Sequence, residues 1–93
     1  MKAWITKYAL TKGIFVIDAK VCERVSDDMI ENVGPDAGPF PYYHGEGRDW
    51  HRTEFAAVSR ANQMRDYKIL SLKKQLARLE KLKFRTSEDT TKP

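Results

Sequence analysis

The sequence predicts an α+β fold in which a small antiparallel β-sheet packs on one long C-terminal helix, and three observations carry that prediction. Residues 2 to 22 alternate along the chain with β-formers frequent, the signature of paired strands. Gly34, Pro35, Gly38, Pro39 and Pro41 form a breaker cluster that can only be loop. After Thr53 no glycine or proline occurs until Pro93, while apolar residues recur at alternating three- and four-residue intervals. A single domain over 1–85 follows, with the sheet in 1–52, the helix in 53–85 and a flexible tail at 86–93.

Each element has its own reason. Lys2 to Leu10 alternates and reads as a strand; Thr11, Lys12 and Gly13 supply a tight connection; Ile14 to Cys22 resumes with Phe15, Ile17, Ala19 and Val21 on one face. Apolar Ile14 and Val16 on the other face predict an internal strand covered on both sides. Met29 to Val33 offers a third short strand, and Tyr42–His44 and Arg48–His51 two more around Gly45-Glu46-Gly47. Thr53 is placed to cap the helix, with Glu54 favourable in its first turn and the end near Phe84.

The helix carries a heptad seam. Phe55, Asn62, Ile69, Leu76 and Lys83 fall at a, and Val58, Arg65, Leu72 and Leu79 at d. A helix of this length spans about 48 Å, whereas a strand of seven residues covers about 23 Å. The sheet is therefore expected to cover the first half, through Phe55, Val58 and Ala61. Ile69, Leu72, Leu76 and Leu79 are left as an oligomer seam, dimeric or higher. The competing possibility is a helix lying diagonally or kinked, with the same leucines in an ordinary core. Parallel pairing would set Lys68 against the partner's Lys73, so an antiparallel pair or an acidic foreign partner is preferred.

Composition narrows the classes. Residues 1–52 carry seven basic and eight acidic side chains (−1), residues 53–85 nine and three (+6), and the last eight residues contribute −1, giving the net +4. All of the basicity belongs to the helix, whose Arg60, Arg65, Lys68, Lys73 and Lys74 form a candidate contact face for an acidic protein, a nucleotide or nucleic acid, unless it is simply a solvated surface. Cys22 is the single cysteine, which excludes an internal disulfide. With no signal-like or membrane-length segment, a cytoplasmic location and no membrane partner are expected.

The candidate ligand-binding residues are Tyr43, His44, Arg48, Trp50 and Arg52, crowded just before the helix N-terminus. Arginines there could fork a phosphate and aromatics could stack on a base, although Trp50 and Tyr43 suit core or rim packing better. His44, His51 and Asp49 lack the fixed geometry of an acid–base set, so no catalytic residue is assigned. Cys22, His44 and His51 have no metal-ligand spacing, so neither a metal nor a cofactor is expected.

Four segments, Lys2-Ala3-Trp4-Ile5-Thr6-Lys7-Tyr8-Ala9-Leu10-Thr11-Lys12-Gly13-Ile14, Tyr43-His44-Gly45-Glu46-Gly47, Trp50-His51-Arg52-Thr53 and Ser71-Leu72-Lys73-Lys74-Gln75-Leu76, give the chain a resemblance to short phage and prophage proteins of unassigned role. The resemblance covers about half the chain and brings no catalytic residue with it. It implies a non-enzymatic phage accessory protein that acts inside the bacterial host. Such a protein would bind and inhibit a defence component or sequester its nucleotide signal. The alternative is a nucleic-acid-binding regulator that uses the basic helix.

Overall fold

The computed structural model describes residues 1–85, so the expected tail at 86–93 lies outside the described residues. Five strands and two helices follow in the order β1 (Lys2–Ile5), α1 (Ala9–Lys12), β2 (Phe15–Val21), β3 (Met29–Asn32), β4 (Tyr42–His44), β5 (Trp50–His51) and α2 (Glu54–Glu80). The strands make one antiparallel sheet in the order β4-β3-β2-β1-β5, so the fold is α+β with an N-terminal sheet and a long C-terminal helix.

The first connection differs from the expected tight hairpin. β1 and β2 pair as predicted, Lys2 opposite Asp18 and Ile5 opposite Phe15. The first strand, however, stops at Ile5, and Ala9–Lys12 turns into a short helix that Gly13 ends at φ 77°. Thr6 is instead held to the β5 side, its amide donating to Asp49 O at 2.9 Å and its hydroxyl to Arg48 O at 2.7 Å.

β4 and β5 are opposite edges of the sheet, yet only Gly45–Asp49 joins them. In a flat sheet those edges would stand about 19 Å apart, four strand intervals. The link is not extended: the Arg48 and Asp49 amides both donate to Gly45 O, at 3.0 and 2.8 Å. The sheet must curl until its edges approach. Asp28, just before β3, fastens the closure by accepting from the Gly45 amide (3.0 Å), the Glu46 amide (2.6 Å) and, through its carbonyl, Trp50 Nε1 (2.9 Å). Gly45 sits at φ 85°, a left-handed conformation that favours glycine, and the exposed Arg48 guanidinium packs over it.

The core lies inside this curl. Ala3, Ile5, Ala19, Ile30 and Trp50 are buried, with Phe15, Ile17, Val21 and Tyr43 packed around them. The register puts Ile5 opposite Phe15 and Trp50, and Ile30 opposite Val21 and Tyr43, so these share one face. Alternation places Trp4 and His51 on the outer face. β2 is internal as expected, but its outer face is open, with Val16 50% exposed.

Thr53 caps α2 as predicted, its side chain accepting from the Ala56 amide at 3.2 Å. The helix ends at Glu80, four residues short of the expected Phe84, with Lys81 as its C-cap. It touches β5, β1 and α1 through a narrow face in which Ala57 is fully buried and Ala61 and Met64 are partly covered. The expected contacts through Phe55 and Val58 are therefore corrected: Phe55 is 83% exposed and Val58 43%. Small alanines let the helix backbone approach the strands, and the heptad seam lies about a quarter turn away.

Candidate interaction surface

From Arg65 to Glu80 every residue of α2 is exposed. This half of the helix projects about 24 Å from the head, with no other element of the described residues beside it. The seam residues Ile69, Leu72, Leu76 and Leu79 are 43, 49, 57 and 63% exposed. The diagonal-helix alternative, in which these leucines complete the core, is thereby excluded. The molecule measures 71 × 28 × 23 Å with a radius of gyration of 21.1 Å, against about 12 Å for a globular domain of this length.

Leaving four such side chains in water forgoes about 6 to 12 kcal/mol, at about 1.5 to 3 each. That is comparable to the whole stability of a small domain, about 5 to 15 kcal/mol. Lys74, Arg78 and Lys81 run along the side opposite the seam, since successive residues turn by about 100°. Arg65, Lys68 and Lys73 are exposed at or beside the seam, and Arg65 bonds its neighbour Asp66 at 3.1 Å. Arg60 stands apart from this face. It is partly covered at the junction with the head, where it donates to Gln63 Oε1 at 2.8 Å and keeps a buried Nε without a partner.

The segment before the helix is largely committed to the fold. Trp50 is fully buried, which corrects its assignment as a stacking platform. Arg52 lies over the Trp50 ring, 5.2 Å from its centroid, and donates to Glu46 at 2.7 Å. Arg48 pairs with Asp49 at 3.4 Å and packs on Gly45. Tyr43 is half-buried against the core, and burial, reinforced by Tyr8, raises its phenol above the ordinary value. His44 is exposed at the edge strand. The five residues do not converge on one cavity.

His51 was not among the expected ligand residues, yet it is 3% exposed and better placed than any of them. Its Nε2 lies 2.9 Å from the Thr6 hydroxyl, whose own hydrogen goes to Arg48 O. Nε2 must therefore donate, which leaves Nδ1 as the unprotonated nitrogen. Burial first, and the Arg60 charge second, lower the His51 pKa and favour the neutral ring. Gly47, His51, Phe55, Arg60 and Gln63 line an open groove of about 400 Å³ at this junction.

Comparison of the chain with family models, curated proteins and solved structures finds no match. No helix among the described residues is long and apolar enough to cross a membrane.

Proposed function

We propose that the protein is a non-enzymatic binding protein whose working part is the projecting half of α2, which self-associates through its seam and presents a basic outer face to a target. The observation that carries this reading is the exposed stripe of Ile69, Leu72, Leu76 and Leu79 on the half of α2 that no other element of the described residues covers. The resemblance of four segments to phage proteins supplies the setting: an accessory factor that inhibits a bacterial defence component or takes up its nucleotide signal. The net positive charge of the helix suits an acidic protein surface or a phosphate-bearing ligand. The head serves as a scaffold, because Phe15, Tyr43 and Trp50 are engaged in its core and Arg52 is held by Glu46.

A second reading, nucleic-acid binding, is favoured by Lys74, Arg78 and Lys81 following one side of the helix. A gel-shift titration with arbitrary duplex DNA at 50 and 200 mM salt separates the two. The binding-protein reading expects no shift at either concentration. Tight binding that falls roughly a hundredfold or more between them, as for several released counterions, would overturn it in favour of the nucleic-acid reading.

A further inference from the structure

Self-association through the α2 seam, the reading on which this inference rests, leaves the direction of the two copies to be decided by the charges beside the seam. With Ile69 and Leu76 at a and Leu72 and Leu79 at d, the bordering positions are Asp66, Lys68, Lys73, Gln75, Glu80 and Leu82. Two acids face two bases there, so the border is neutral although the helix is strongly basic. Of the remaining basic residues, Lys74, Arg78 and Lys81 are turned away from any partner on the seam, whereas Arg65 at d and Lys83 at a lie on it.

Asp66 and Lys73 are both exposed; Lys73 has no counter-charge at helical spacing, and Asp66 is paired on its own helix only with the adjacent Arg65, at 3.1 Å. The residues three and four away from Lys73 are Ile69, Leu70, Leu76 and Ala77; those around Asp66 are Asn62, Gln63, Ile69 and Leu70.

We propose that the seam closes on a second copy of the chain in antiparallel orientation, with the twofold axis between Leu70 and Ser71, so that Asp66 of each protomer faces Lys73 of the other. In this register Ile69 packs on the partner's Leu72. Arg65 lays its methylenes over the partner's Leu76 with its guanidinium at the rim. Asn62, opposite the partner's Leu79, opposes slippage. Lys68 meets Gln75, and no like charges touch. Parallel pairing instead puts Arg65 against Arg65 and Lys68 beside Lys73 on both flanks. An antiparallel pair shifted by one heptad mates all four apolar residues, Leu72 on Leu76 and Ile69 on Leu79, but brings Asp66 to Glu80 and Lys73 to Lys73. The chosen register also sets the two heads at opposite ends and keeps both outer basic stripes free.

Sedimentation equilibrium of the full chain, Lys73→Glu, Asp66→Lys and the double variant tests this. Each single substitution turns two attractive contacts repulsive and is expected to raise the dimer Kd roughly tenfold; the double variant should return to within about threefold of the original. Tighter dimerisation of Lys73→Glu, which a parallel pair gives because Lys68 gains a partner, overturns the orientation and leaves self-association intact. An unchanged Kd for Lys73→Glu, the mark of the shifted register, overturns it equally. An unsubstituted chain that stays monomeric at every concentration overturns self-association itself. Both positions lie beyond the head, so unchanged circular dichroism verifies that all variants are folded.

Discussion

At the scale of single residues, the junction of head and helix turns on Thr6 and His51, separated by 45 positions and 2.9 Å apart. Because His51 is neutral in the fold with a lowered pKa, its linkage to pH has a definite sign. Above its ordinary value of 6.5 both folded and unfolded chains hold it neutral, and stability is complete. As pH falls below 6.5 the unfolded chain takes up the proton first, so stability declines until the folded pKa is reached. Urea denaturation at pH 7.5 and pH 5.5 should show this loss in the natural chain, and His51→Gln should show a smaller one. An equal slope in both would remove His51 as the source. None of this was legible in the sequence, where His51 is one of two histidines near aromatic and arginine residues. Its partner is distant along the chain, and no local pattern announces such a contact. Thr53, by contrast, was readable because a cap is defined by its immediate neighbours.

At the scale of elements, periodicity located the strands from β2 to β5 and the start of α2, but it misjudged which side of α2 faces the head. Phe55 and Val58 are the larger apolar residues and the natural candidates for the contact, yet it is the small Ala57, about 100° round the helix from Val58, that is buried. That error leaves the whole seam, from Val58 to Leu79, on the open side of the helix. The head and the projecting half therefore answer separately to substitution. Leu72→Glu combined with Leu76→Glu should disperse the assembly while the near-ultraviolet signal of Trp50, buried in the head, stays unchanged. Loss of that signal would mean that the leucines support the head after all. The short helix after β1 escaped the sequence for a similar reason to His51: Thr6 is held by partners at Arg48 and Asp49, far along the chain.

At the scale of the whole molecule, the fold is a small curled sheet from which a helix extends well past its own support. The excess of apolar stripe over available cover could be argued from lengths alone, a helix of about 48 Å against strands of about 23 Å. The curl could not, because it arises from a five-residue link between opposite edges and from Asp28 bonding across them. The core lies inside the curl and α2 packs on the head only through its first half, which leaves the projecting half free for a second role. The mass of the natural chain in solution, measured by sedimentation equilibrium across a wide concentration range, bears most directly on that role. Association to at least twice the 10.8 kDa of one chain is expected. A persistent 10.8 kDa monomer would mean that Ile69, Leu72, Leu76 and Leu79 do not join copies of this protein.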